Sequence, residues 1–324
     1  MFPDLTLGRP LPVQDAIEPQ ESGNGYALRM VVANHLEFCD LTRALCSIGH
    51  RYLPFAAAPR IAYWFGAEPV AVARAFPRSY KSHGHLVTQL MGVEFHRPYH
   101  VRVCRPQVCV ICLREQTWTR LVWDVSLVTC CAKHKTRLVD QCPSCGRMLR
   151  WRRPSVNACL CGYDLRHASG VRASDDEVWI SDRIEGLLFG EAQTRVSSLD
   201  HAQCLLTPLG LDALLRVVRT LGIAAGSGRL DIVPGRMTRL LTSTEAAGVV
   251  VRAFSRLRLM LTEGRLSPGV APIPVGEARS LCASALGVQS GVLNDLLTRI
   301  VRMEQKQRIP DLGRHQLLLF AEEQ

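Results

Sequence analysis

Cys109-Val-Ile-Cys112, Cys131-Ala-Lys-His134, Cys142-Pro-Ser-Cys145 and Cys159-Leu-Cys161 decide how this chain is read. A Cys-x-x-Cys turn presents two thiolates to one ion, and tetrahedral zinc needs four such soft or borderline ligands. Each of the two Cys-x-x-Cys turns is followed by a second half-site. The residues therefore divide into two complete sets, Cys109, Cys112, Cys131 and His134, and Cys142, Cys145, Cys159 and Cys161. With every position filled by protein, no place is left for a water, so two structural zinc ions are expected and no catalytic one. Two alternatives also satisfy the spacing. Cys130 with His134 is a usable pair, although Cys131 has the two-residue gap of the Cys-x-x-Cys turns, and half-sites can be exchanged between the ions.

Working outward, eight of the 13 cysteines fall between Cys109 and Cys161. Clustered thiols point to metal in a reducing compartment and to disulfides in an oxidising one. The opening Met1-Phe-Pro-Asp-Leu5 lacks the basic head and apolar stretch of a secretory signal. No window approaches the roughly 20 continuous apolar residues that cross a bilayer. The expectation is a cytoplasmic protein with no membrane partner. Cys39, Cys46, Cys104, Cys130, Cys204 and Cys282 read as small buried apolar residues. At 324 residues, 47% hydrophobic and 21% charged, the chain has the composition of a folded protein of two or three domains, which excludes wholesale disorder and fibrous repeats.

The formal charge of +10 is unevenly spread. Residues 1–94 carry eight basic and eight acidic groups, residues 95–167 thirteen and four, and residues 168–324 eighteen and seventeen. A zinc held by three cysteines and a histidine contributes about −1 and one held by four cysteines about −2, which lowers the middle segment to roughly +6. It remains the most basic part of the chain. Within it, Arg147, Arg150, Trp151, Arg152 and Arg153 lie in the loop of the second quartet. Arginine forks match phosphates, and an indole can stack on bases, so these five are candidate nucleic-acid contacts. A solvated basic knuckle with Trp151 sealing the metal core is the other reading.

The expected fold is mainly α, with small zinc-binding β/knuckle modules. A helical amino-terminal region is expected over 1–95, with short helices broken at Pro54, Pro59, Gly66, Pro69 and Pro77. The tandem zinc region covers 96–168. A helical carboxy-terminal domain covers 169–324, starting at Asp175-Asp176-Glu177, with helical segments around 178–189, 208–222, 236–262, 277–300 and 314–321. Residues 277–300 suggest a helix-turn-helix, with Gly287 in the turn and Cys282, Leu286, Val288, Leu293 and Leu296 facing inward. Against DNA reading, its second helix offers no arginine before Arg299, which is poor for phosphate neutralisation; an ordinary helical hairpin or a protein-docking surface is the other reading.

The order Arg102-x-Cys104-x-x-x-x-Cys109-x-x-Cys112, Trp123, Cys131-x-x-His134, Leu138, Cys142-Pro-x-Cys145-Gly146, Leu149 and Cys159-x-Cys161-Gly162 resembles the TniQ family, which includes TnsD. The opening Pro19-Gln20-Glu21-Ser22, running into Tyr26-Ala27-Leu28-Arg29, is similar to that family's start. Val110 stands where the family usually has proline, and Gly23 and Gly25 are unusual in the first turn of the expected helix. The resemblance implies a target-selection protein of transposons, with some relatives serving CRISPR-associated transposition. It implies an adaptor that joins a target-recognition device to a AAA+ regulator of the TnsC-like kind, with target DNA, a CRISPR guide-RNA effector complex or both as its other partners. Glu21 and Arg29 are the candidate partner-binding residues, and a homodimer is compatible with the same reading.

No Ser-His-Asp order, phosphate loop or two-metal carboxylate cluster stands out, so no catalytic residue is assigned and a non-enzyme is expected. His35-Leu-Glu37 matches the His-x-Glu of zinc deaminases, but no Pro-Cys-x-x-Cys accompanies it. A stand-alone zinc-containing transcription regulator, binding DNA through its carboxy-terminal helices, is the competing function. A metal-dependent hydrolase needs an open zinc position that the ligand count does not leave.

Overall fold

The computed structural model describes residues 8–46, 51–190, 199–223, 240–263 and the single position 298. The chain divides into two compact units, Met1–Gln193 with Arg239–Ala247, and Thr194–Thr238 with Gly248–Gln324. Apart from position 298, the candidate helix-turn-helix at 277–300 lies outside the described residues, as do the segment at 314–321 and Cys282.

The first unit opens with an extended lead that is bonded to helices on both sides. Leu11 N–H donates to Trp64 O at 2.8 Å and Asp15 N–H to Phe65 O at 3.1 Å. Asn34 exchanges two hydrogen bonds of 2.9 Å with the backbone of Val13. The helices are α1 (Gly23–Ala33), α2 (Phe38–Leu45), α3 (Ala58–Phe65) and α4 (Pro69–Arg74). Proline at the start of α3 and α4 lacks only an N–H that has no intrahelical partner there, and Gly66 ends α3 in the left-handed region at φ 69°. The apolar faces of these helices meet through Tyr26, Leu28, Met30, Phe38, Leu41, Ile61, Trp64 and Phe65, all buried.

Where short helices were expected to continue, residues 78–95 form an antiparallel meander, β1 (Arg78–Ser82), β2 (His85–Leu90) and β3 (Val93–Phe95). Ser82 pairs with His85 and Leu90 with Val93, so both turns have two residues. His83-Gly84 and Met91-Gly92 occupy them with every φ positive, the geometry that matches strand twist.

The zinc region has little regular structure: α5 (Cys112–Glu115) and the short pair β4 (Cys130–Cys131) and β5 (Thr136–Arg137). Its core is Val108, Leu113, Leu121, Trp123, Leu127, Leu138, Leu149, Trp151 and Leu165. α6 (Asp175–Phe189) follows, beginning at the expected acidic run. Ser174 caps it with a reciprocal box: Glu177 N–H donates to Ser174 Oγ and Ser174 N–H to Glu177 Oε2. Glu177 also receives a two-pronged contact from Arg137, which fastens the helix to β5.

The second unit holds α7 (His201–Leu206), α8 (Leu211–Gly222) and most of α9 (Ser243–Glu263). Within it, Arg252 and Arg256 donate to the carbonyls of Gly222 and Ile223, satisfying the end of α8. A methyl group on Gly222 would fall 1.9 Å from Val249 O, so the approach of α8 to α9 requires glycine.

Candidate metal centres and the basic knuckle

The structure brings the two expected quartets together, with all four ligand atoms of each set within 4.8 Å of one another. In the first, Cys112 Sγ lies 3.6 Å from Cys131 Sγ and 3.2 Å from His134 Nδ1, while Nδ1 is 3.5 Å from Cys109 Sγ and 3.6 Å from Cys131 Sγ. In the second, Cys142 and Cys161 are 3.7 Å apart and Cys145 and Cys159 3.8 Å. Zinc bonds of about 2.3 Å to sulfur and about 2.0 Å to nitrogen give tetrahedron edges of roughly 3.8 Å between sulfurs and 3.5 Å from sulfur to nitrogen. Both quartets fit that ion in size and in donor chemistry. Half-sites are not exchanged between them.

Local backbone explains how short segments achieve this. Three of the four half-sites fold back and end on a left-handed residue: Lys135 at φ 52°, Gly146 at φ 68° and Gly162 at φ 85°. Lys135 N–H returns to Cys131 O at 2.7 Å, Gly146 N–H to Cys142 O at 2.8 Å and Gly162 N–H to Cys159 O at 2.9 Å. The fourth half-site instead opens α5, and Cys112 N–H points at Cys109 Sγ, 3.5 Å away.

Glu115, which belongs to neither ligand motif, lies 3.0 Å from His134 Nε2 and 2.6 Å from Lys133 Nζ. A carboxylate on the outer nitrogen fixes the ring so that Nδ1 faces the thiolates, an arrangement common behind metal-binding histidines. Its spacing gave a signal: α5 places Glu115 one turn after Cys112. Cys130 points away from both quartets, with Sγ 3.2 Å from Glu177 O and 3.4 Å from Ser181 Oγ. Burial pushes its thiol up to about 12, against a weaker pull from Ser181, so it is a neutral packing residue.

Arg102, the first residue of the family-like motif, is completely buried. It pairs with Asp140 at 2.7 Å and donates to Leu241 O at 2.7 Å, and Asp140 accepts from Ser243 N–H at 2.8 Å. The start of α9 is thereby held against the zinc region within the first unit.

The five knuckle residues separate by depth. Arg147, Arg150 and Arg152 are exposed. Trp151 is buried and donates its Nε1–H to Val103 O at 2.9 Å. Arg153 is 4% exposed, its Nε and Nη2 bonded to Ser155 O and Val156 O. Burial lowers its guanidinium to about 10, with the Cys159 thiolate acting in opposition.

Glu21 and Arg29 face each other rather than solvent. Arg29 Nε and Nη2 reach the Glu21 carboxylate at 2.9 and 2.8 Å, and Nη1 reaches Asp15 at 2.6 Å. Glu21 is buried and Arg29 half-buried, so the pair fixes the lead on α1. His35 is exposed, and the N–H of Glu37 is bonded to Asp40 at the start of α2. Neither belongs to a metal-binding cluster among the described residues. No helix there is long and apolar enough to cross a membrane.

Compared with known families, the model of the TniQ family matches residues 12–138, from the lead through the first metal quartet. A comparison with curated proteins finds no match.

Proposed function

We propose that this chain, a member of the TniQ family through residues 12–138, is an adaptor that joins a target-recognition device to a AAA+ transposition regulator of the TnsC-like kind. Transposition-associated target selection is the family's general function. The adaptor role and the two partners are our reading of how this chain serves it.

The observation that carries the reading is the union of the family's opening segment with the first metal quartet. Ser22 N–H donates to Thr119 O at 2.9 Å and Leu121 N–H to Gln20 O at 2.7 Å, and Arg120 reaches Gln20 and Glu185. Surfaces on the helical part and on the zinc region are thereby fixed in one body, as an adaptor requires. On the helical part, a pocket of about 440 Å³ lies between α3–α4 and the meander, lined by Phe55, Val70, Phe76, Arg78 and Met91. Val70 is 62% exposed there, and Arg74 and Arg78 have no carboxylate partner among the described residues. We assign this groove to a segment of the regulator that carries an apolar anchor and an acidic group. Glu21 and Arg29 contribute by holding the lead in place. On the zinc region, the exposed Arg147, Arg150 and Arg152 face target DNA or the RNA of a guide complex, with the two zinc ions as structural supports.

The test is a pull-down of the ATP-bound regulator by the zinc-loaded chain. Val70→Asp and Arg78→Glu, both on the groove, are expected to lose the regulator while retaining zinc and nucleic acid. Normal recruitment by both folded variants would remove the groove, and no recruitment by the wild-type chain would remove the adaptor role.

A further inference from the structure

Arg153 is an unusual residue to find inside a protein. Its guanidinium is buried, no carboxylate pairs with it among the described residues, and its Nη1 has no hydrogen-bond acceptor. A buried charge of this kind is costly unless something neutralises it. Two of its nitrogens are fixed by the carbonyls of Ser155 and Val156, and the ring of Trp151 lies 5.8 Å beneath it. The cation therefore has little freedom to turn elsewhere.

The same side chain lines a pocket of about 380 Å³ beside the second quartet. Arg147 and Arg150 stand at that pocket, and Met148, Leu149 and Leu160 provide its apolar wall, with Leu160 55% exposed. Three guanidinium groups around a part-apolar cavity suit a phosphate with an attached sugar and base better than a bare ion, because the apolar wall would face water under a bare ion. Arginine is the side chain best shaped for such a group, since its parallel N–H bonds match two phosphate oxygens.

We infer that this pocket receives one nucleotide of a nucleic-acid strand, with its phosphodiester held at Arg153 Nη1 and flanked by Arg147 and Arg150. The inference rests on the nucleic-acid reading of the knuckle and goes further, because it gives a buried residue the fixed contact and leaves the exposed arginines a diffuse electrostatic one. The thiolates of the second quartet do not replace the phosphate: their charge is shared with the metal, and none accepts a hydrogen bond from Nη1.

The experiment is fluorescence anisotropy with a labelled single-stranded oligonucleotide across a salt series, using the zinc-loaded full chain. Arg153→Met removes the charge at similar volume. Leu160→Trp fills the pocket from the surface and leaves the bonds of Arg153 in place. Both are expected to weaken binding about ten-fold, and Arg153→Met to reduce the salt slope by roughly 0.7 to 0.9, the share of one phosphate. If Arg153→Met releases zinc, Leu160→Trp decides alone: unchanged affinity overturns the pocket and weakened affinity supports it. Wild-type affinity in both variants, with loss in Arg150→Ala/Arg152→Ala, overturns the pocket while the knuckle reading stands. Wild-type affinity in all three removes both. In a competition arm, deoxyadenosine monophosphate is expected to displace the oligonucleotide more effectively than inorganic phosphate. Equal competition by the two would show a free-phosphate site and overturn the nucleotide assignment.

Discussion

Ser22 donates its hydroxyl to Asp124 Oδ2 at 2.6 Å, joining the residue before α1 to the loop of the first metal quartet across 102 positions of sequence. Both residues are buried, and this contact helps make the family's opening segment and the zinc region one body. Burial pushes the Asp124 carboxyl up to about 7 from an ordinary 3.8, with Ser22 and Arg102 pulling the other way.

A pH dependence follows from that carboxyl. Between about pH 4 and pH 7 the folded chain holds a proton that the unfolded chain has released, so this group's contribution to stability declines as pH rises through that window. Asp124→Asn keeps an acceptor for Ser22 and removes the titration. Denaturant unfolding of both proteins should show the wild type losing ground to the variant by at most about 1.4 kcal/mol per pH unit across the window. A constant difference would mean that Asp124 titrates normally. The two candidate metal quartets are the same in both proteins, so their own pH dependence cancels.

Removing one partner of the Glu21–Arg29 pair should cost more than removing both. Arg29→Met strands a buried carboxylate and is expected to destabilise by about 3 kcal/mol, within the range for broken buried pairs. Glu21→Gln combined with Arg29→Met should recover part of that loss. A single variant with wild-type stability would show that the pair does not hold the lead.

The metal centres make a stoichiometric prediction: two zinc ions per chain, one per quartet. Cys142→Ser should lose one and destabilise residues 135–165, while Cys130→Ser, whose thiol faces Glu177 and Ser181, should keep both. Glu115→Gln should weaken the first site about 10–100-fold in chelator competition, as expected for a lost carboxylate behind a histidine ligand. Zinc loss from Cys130→Ser would return that residue to the ligand set.

Gly23 and Gly25 look like poor residues for the first turn of a helix, yet α1 starts at Gly23. A methyl on Gly23 would meet the buried Phe76 ring at 2.5 Å, and one on Gly25 would meet Thr119 Oγ1 at 1.9 Å. They are there for close approach. Gly23→Ala should therefore destabilise by about 1–3 kcal/mol despite its better helix propensity, measured by thermal or chemical melt. Stabilisation would mean that the ring can move aside.

The metal quartets were legible because ligand chemistry imposes spacing, and the acidic start of α6 because caps are local. The meander at 78–95 was not. Its turns use His83-Gly84 and Met91-Gly92 in place of the usual Asn-Gly or Asp-Gly, and Leu86 is exposed, which weakens the alternation of β2. The inward turn of Trp151 was one of two readings open in the sequence, and that of Arg153 was in neither, because their depth depends on contacts with Val103, Ser155 and Val156. Likewise, nothing local in the sequence marks Arg102 as buried, since its partners Asp140 and Leu241 are distant along the chain. Long-range partners of charged residues carry no periodic signal.

The central claim is that one chain holds target and regulator together, and a bridging pull-down tests it most directly. Immobilised target DNA, or the guide-RNA complex bound to it, is incubated with the ATP-bound AAA+ regulator, with and without the zinc-loaded chain. The account predicts that the regulator is retained only when the chain is present, and is lost with Val70→Asp although that variant itself stays on the target. Retention of the regulator without the chain, or a chain that binds either partner but never both at once, would contradict it.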